Sequence, residues 1–178
     1  MTQTVAFLRA INVGGHNVKM EALRQLFETM GFANVATFIA SGNVIFSSDG
    51  RDPAALEHQI ETGLQQVLGY RVATFLRPTV ELAGIDQRHP FQAAAQADDT
   101  TLYVAFLKNA PSHTVQTQLL ACRNAVDDFH FDQRELFWLV RRSFHESTFS
   151  GARLEKMLGG EATVRNISTV RKLATKYG

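Results

Sequence analysis

Val5-Ala-Phe-Leu-Arg-Ala-Ile-Asn-Val-Gly-Gly-His-Asn-Val-Lys-Met20 is the stretch on which the reading of the chain turns. Its first half is apolar and of strand length, and residues 4–11 are predicted as a strand. Side chains alternate across a strand, so Val5, Phe7 and Arg9 share one face and Ala6, Leu8 and Ala10 the other. The Gly14-Gly15 turn ends it. Asn17 is the residue type that caps a helix by accepting a first-turn amide, and a helix is predicted from there to about residue 30. Met20, Leu23, Phe27 and Met30 then fall three, four and three apart, on one stripe. Gly31 stops it.

Working outward, strands at 35–40 and 44–47 flank Ser41-Gly42-Asn43 and read as a hairpin. Asp52-Pro53 supplies a cap followed by proline at the first helical position. Leu56, Ile60, Leu64 and Val67 give that helix its stripe, and Gly69 closes it. A fourth strand is predicted at 71–76. The order is βαββαβ, the ferredoxin-like unit. A short helical piece at 80–84 follows, then a polar segment at 86–99 without periodicity, read as a linker.

The second half starts again. A strand at 100–108 precedes a helix capped by Ser112 and running to about residue 123. Residues 126–132 and 136–141 read as a hairpin around Gln133-Arg134. Ser147 or Thr148 caps a helix carrying Leu154, Met157 and Leu158, ended by Gly159-Gly160. A strand at 162–164 and a helix at 167–176 complete the chain. Val5-Ala-Phe-Leu-Arg9 recurs as Val104-Ala-Phe-Leu-Lys108, at the start of the same element order. The expected fold is therefore α+β: tandem ferredoxin-like subdomains at 1–85 and 100–178, joined by 86–99, with an extra C-terminal helix. The alternative is a single mixed α/β sheet. Phe7 against Leu8, Phe75 against Leu76 and Trp138 against Leu139 make the strands apolar on both faces, which calls for cover on both. Either the subdomains pack together or the chain dimerises.

Composition bounds the function. The chain has 178 residues, 45% hydrophobic and 20% charged, with a net charge of +1. That balance creates no global field for nucleic acid or membrane, so a polyanion site has to be a local patch. One cysteine, Cys122, excludes an intrachain disulfide, suits a reducing cytosol, and reads as a small buried hydrophobe. No stretch approaches the roughly 20 apolar residues of a membrane span. No charged and apolar leader is visible at the start, and a cytoplasmic location is expected. Thirteen Phe against one Trp and three Tyr point to core packing rather than a ligand surface.

The chemistry-bearing candidates begin at the opening turn. Adjacent glycines let successive amides point into one concavity, and the helix N-terminus adds partial positive charge. With Arg9, Asn12, Asn17 and Lys19 nearby, Gly14-Gly15 reads as a phosphate or carboxylate cradle. It is neither a P-loop nor a dinucleotide fingerprint. The plainer alternative is a chain reversal with a helix cap. Ser41 and Asn43 either present polar groups to the same ligand or simply form a turn; Ser41 as a nucleophile lacks a base, since His58 lies inside a helix. Residues 163–176 contain Arg165, Arg171, Lys172 and Lys176 and no carboxylate, with Asn166, Ser168 and Thr169 at a helix start. This junction resembles the first, and the two can line one cleft; the alternative is a capped helix with a solvated basic face. The six histidines show no ligand spacing, so neither metal nor cofactor is expected. Asp127-Asp128 and Asp98-Asp99 read as solvated edges. No catalytic residue is identified, and whether the protein is an enzyme stays open.

The same residues carry a family resemblance. Phe7-Leu-Arg-Ala-Ile-Asn-Val-Gly-Gly-His-Asn-Val-Lys-Met-Glu-Ala-Leu23, Met30-Gly-Phe32 and Thr37-Phe-Ile-Ala-Ser-Gly-Asn-Val-Ile-Phe-Ser-Ser48 resemble the N-terminal signature of the bacterial family called domain of unknown function 1697. Thr163-Val-Arg-Asn-Ile-Ser-Thr-Val-Arg-Lys-Leu173 resembles its closing motif, with Ile167 where that motif usually carries Trp. The resemblance implies a cytosolic bacterial protein and no particular activity. It marks Arg9, Asn12, Gly14, Gly15, Lys19, Ser41, Gly42, Asn43, Arg165, Asn166 and Thr169 as motif positions. The expected partner is a small anionic ligand at the Gly14-Gly15 turn and the Arg165-Asn166 junction. Competing readings are a nucleic-acid-binding protein, for which residues 41–48 lack the aromatic and basic pattern of an RNA-reading strand, and a dimeric interaction module. Monomer and homodimer both remain open.

Overall fold

Alternating strands and striped helices resolve into the same set of elements twice over. The computed structural model of the chain describes residues 3–178. The first set is β1 (Gln3–Leu8), α1 (Met20–Thr29), β2 (Ala33–Thr37), β3 (Asn43–Ser47), α2 (Pro53–Leu68), β4 (Thr74–Pro78) and α3 (Thr79–Gln87). The second is β5 (Thr100–Leu107), α4 (His113–Leu120), β6 (Asp127–Asp132), β7 (Glu135–Arg141), α5 (Gly151–Leu158), β8 (Ala162–Asn166) and α6 (Ile167–Tyr177). The strands form two four-stranded antiparallel sheets, ordered β2-β3-β1-β4 and β6-β7-β5-β8. The fold is α+β with two similar halves, and the alternative of one mixed sheet is replaced by two separate ones. The helix expected as an extra at the C-terminus also has a counterpart, α3, after the first half. Among the described residues, no helix is long and apolar enough to cross a membrane.

The chain divides into two compact units. One reaches to Leu82 and takes in Leu173–Gly178; the other is Ala83–Lys172. Residues 86–99 group with the second unit, where His89 and Phe91 are buried.

In the first unit, Ala6 and Leu8 of β1 pack with Leu23 and Phe27 of α1 and with Leu56, Ile60 and Leu64 of α2. Fully burying one such side chain is worth about 1.5–3 kcal/mol. Val5, Phe7, Ile45 and Phe75 point to the opposite face and are also fully buried. The second unit repeats the scheme. Ala105 and Leu107 of β5 pack with Leu119, Leu136, Trp138 and Leu154, while Val104, Phe106, Phe137 and Leu139 are buried on the other face. Val5 pairs with Ile45 and Arg77, and Val104 pairs with Phe137 and Arg165. The recurring five-residue strand thus holds the same place in both sheets.

Local chemistry explains where the elements stop. Asp52 accepts from the Ala55 amide at 3.0 Å, Pro53 opens α2, and Gly69 closes it at φ 80°. Ser112 caps α4 by accepting from Val115 at 3.3 Å. Other boundaries differ from expectation. β1 ends at Leu8, because Ala10 turns to φ 53°. Asn17 does not cap α1: the helix opens at Met20 with Lys19 at the N-cap, and the preceding residues are held instead by Asn12. Val67 is 63% exposed, so the buried stripe of α2 ends at Leu64. Neither Ser147 nor Thr148 caps α5; both bond Asp127, and Ser150 takes the role, accepting from Arg153 at 3.2 Å.

Candidate functional site

The loop between β1 and α1 is held by one side chain. The Val18 amide donates to Asn12 Oδ1 at 2.6 Å, and Asn12 Nδ2 donates to the Val18 carbonyl at 3.3 Å and to the Ala40 carbonyl at 3.2 Å. Asn12 therefore closes its own loop and ties it to the 38–43 loop. Between the ends of this clasp, residues 13–17 are all exposed. Gly14 and Gly15 sit at φ 71° and 89°, a conformation that side-chain-bearing residues rarely adopt. One flank is closed by Tyr70, whose hydroxyl donates to the Ile11 carbonyl at 3.0 Å and whose ring stacks on His16 at 3.7 Å. Burial pushes the Tyr70 phenol up.

The loop delivers the chain into α1. Lys19 is exposed at its N-cap, and no side chain caps its first-turn amides among the described residues. Glu21 in that turn pairs with Arg24 at 2.5 Å, and the hydrogen bond from Arg24 holds its carboxyl below the usual range. Arg24 also pairs with Glu28. Half-buried Arg9 lies at the strand end, its amide donating to Ala73 at 2.9 Å.

The hairpin loop brings the second motif against the first. Asn43 is fully buried, and its Nδ2 donates to the Phe38 carbonyl and to Ser41 Oγ, each at 2.9 Å. Asn43 thus braces the loop, whereas Ser41 is exposed. Gly42, at φ 76°, allows close approach: a Cβ there would lie 2.7 Å from Ile11 Cγ2. Lys176 Nζ lies 5.7 Å from the centre of the Phe38 ring, and Tyr177 meets that ring edge-on at 6.4 Å. Of the basic C-terminal residues, Lys176 is the one placed at this loop in the first unit.

Arg165, Asn166 and Thr169 belong to the second unit. Arg165 is 8% exposed, and its Nη1 donates to Thr163 Oγ1 at 2.8 Å and to the Val164 carbonyl at 2.9 Å. Burial draws its guanidinium down to about 10. Asn166 Oδ1 accepts from the Ser168 amide at 2.8 Å, which starts α6, and Thr169 is buried. Arg171 is engaged with Asp86 at 2.9 Å. Sequence reasoning missed Arg77, the counterpart of Arg165 in the first unit. Arg77 is fully buried, and its Nη1 donates to the carbonyl of the preceding residue, Leu76, at 2.8 Å. The signal was an arginine at the same register beside the recurring strand.

Two further buried groups were not legible as such. Asp127, read as a solvated edge, is fully buried. It accepts from Trp138 Nε1 at 2.9 Å, Ser147 Oγ at 2.5 Å, Asn124 Nδ2 at 3.2 Å and the Thr148 amide at 3.2 Å. Burial works against its charge, yet these bonds outweigh that cost and hold the carboxyl below its ordinary value. His89, also buried, accepts from the Phe91 amide at Nδ1 and faces Asp86 with Nε2 at 3.5 Å. Burial lowers its pKa against the pull of Asp86. Among the described residues, no group of three His, Cys, Asp or Glu is placed to hold a metal ion.

Comparison with known proteins adds the family. The family model described as Protein of unknown function (DUF1697) matches residues 1–137. The match covers the Gly14-Gly15 and Ser41 loops and ends before the 163–173 segment. The conserved bacterial protein SP0830 from Streptococcus pneumoniae has a similar structure, with a TM-score of 0.78 over 98% of this chain and 97% of that one, at 21% identity. That likeness is one of fold. No curated protein matches the chain. With three quarters of its length matched, the chain belongs to the family described as Protein of unknown function (DUF1697).

Proposed function

We propose that the protein binds a small phosphate- or carboxylate-bearing ligand on the Gly14-Gly15 loop of its first unit. The observation that carries this reading is the entry to α1: two exposed glycines at positive φ, then Lys19 at an N-cap without a side-chain cap. Helix N-termini favour anions by about 0.3–1 kcal/mol at exposed positions, and Lys19 adds a full charge. Asn12 already fixes the loop, so little ordering remains to oppose binding. Arg9, Asn17 and Ser41 are the next candidates for contact.

In the second unit, Arg165, Asn166 and Thr169 stand at the start of α6 and are the remaining motif positions assigned to the ligand. The βαββαβ order and the strand orders β2-β3-β1-β4 and β6-β7-β5-β8 support a ferredoxin-like reading of both halves. The lone Cys122 and the likeness to a bacterial protein support a bacterial, cytoplasmic setting.

Thermal unfolding in the presence of inorganic phosphate and of acetate tests the binding. A ligand at a hundredfold its Kd stabilises by about 2.7 kcal/mol. Stabilisation by at least one of the two is expected, and most of it should be lost in Lys19→Ala. Absence of any stabilisation, or equal stabilisation of wild type and Lys19→Ala, counts against the proposal.

A further inference from the structure

We propose that the second unit carries a small-molecule site for a hydroxylated aromatic ring, in the cleft between the β5–α4 loop and the α5–β8 turn. The cleft is open to solvent and offers about 340 Å³, with Lys108 to Pro111 on one side and Leu158 to Glu161 on the other. Small-molecule sites start at roughly 300 Å³.

The first unit shows what such a place accepts. Gly69 closes α2 at φ 80° as Gly159 closes α5 at φ 67°, so the two turns correspond. The next residue is Tyr70 in one and Gly160 in the other. Tyr70 lays its ring on His16, and its hydroxyl donates to the carbonyl of Ile11, in the loop after β1. Counting along the recurring strand from Val5 and Val104, the position of Ile11 corresponds to that of Ala110. The second unit keeps the two flanking segments in shortened form, with no counterpart of His16 in the loop after β5, and lacks the Tyr70 ring.

The missing ring is not forced by packing. A Cβ on Gly160 would meet nothing within 4 Å, and Gly160 is not among the residues at positive φ. Leu107, Pro111 and Leu158 offer apolar surface to a ring face, and Asn109 and Ala110 line the side that corresponds in chain position to the Ile11 loop. At the rim, Lys108 and Glu161 bring opposite charges where the first unit has Arg9 and Arg71. A neutral phenol with a donating hydroxyl fits this lining. Having few heavy atoms, such a ligand binds in the millimolar range.

The probe is p-cresol, titrated into the full-length ¹⁵N-labelled protein. Saturable shifts are expected on the amides of Asn109, Gly159, Gly160 and Glu161. Toluene, which lacks the hydroxyl, should bind about three- to tenfold more weakly. Gly160→Tyr restores the internal ring and should abolish the p-cresol shifts; Gly160→Leu is the second plug should the tyrosine variant fail to fold. Absence of saturable shifts at these amides, equal affinity for toluene, or undiminished affinity in a folded plugged variant would overturn the assignment.

Discussion

Replacing Asp127 by alanine removes the acceptor that joins β6, β7 and the segment before α5. Donors from four residues converge on this fully buried carboxylate: Trp138 Nε1, Ser147 Oγ, Asn124 Nδ2, and the amide and Oγ1 of Thr148. A hydrogen bond to a charged group contributes about 1.5–3 kcal/mol. The four are not additive, because Asn124 and Thr148 are exposed and Ser147 is half-buried, so these regain water. The Trp138 indole, 1% exposed, does not. Leaving it unpaired costs about 1–3 kcal/mol, and the emptied site adds to that. Against a typical total of about 5–15 kcal/mol, that is a large fraction. Trp138 is the sole tryptophan, so urea unfolding followed by its fluorescence reads this unit directly. Asp127→Asn keeps the shape and one acceptor oxygen, and should fall between wild type and alanine. The sign with pH follows from the lowered folded pKa. The contribution is present above the ordinary carboxylate value of about 3.9 and is lost as pH falls through the folded value. The wild type should therefore approach Asp127→Asn in acid, and its gap to Asp127→Ala should narrow. A loss below about 1 kcal/mol at neutral pH, or a gap that does not narrow on acidification, would refute the reasoning.

Glycines at positive φ separate strain from crowding. Gly42→Ala meets Ile11 Cγ2 at 2.7 Å and Leu8 Cβ at 3.2 Å, so strain and overpacking combine to about 2–4 kcal/mol. Gly50→Ala, at φ 70° with nothing within 4 Å, should cost only about 1–2 kcal/mol; equal losses in chemical denaturation would contradict this. Asn12→Ala releases Val18 and the Ala40 carbonyl, at a cost of about 1–2 kcal/mol. Amide exchange should accelerate across residues 13–19 while the core of α2 stays protected, and uniform acceleration would argue against a local clasp.

What could be read from the sequence was what neighbours along the chain decide. The alternation of Val5 to Leu8 and its recurrence at Val104 gave both sheets their shared strand, because facing is set by adjacent residues. Asp52 and Gly69 marked α2 correctly, since a cap acts within one turn. Asn17 misled for the same reason. It has the chemistry of a cap, but Asn12, six residues before Val18, already binds the Val18 amide. Partners distant in sequence were illegible. Asn12 reaches Ala40, Asp127 gathers Trp138 and Ser147, and Asn43 turns inward to Phe38 rather than outward. Those contacts turn an apparently solvated or ligand-facing side chain into a brace. They also leave Gly14, Gly15, Lys19 and Ser41 as the exposed members of the first-unit motif.

Residue-resolved titration with inorganic phosphate probes the Gly14-Gly15 loop most directly. Amide spectra of the full-length protein should show saturable shifts centred on Gly14, Gly15, Met20 and Glu21, weakening as salt is raised. In Lys19→Ala the same shifts should require markedly more phosphate, with the core amides unmoved. Shifts that avoid the loop, or a loop response unchanged in Lys19→Ala, would contradict an anion site at the start of α1.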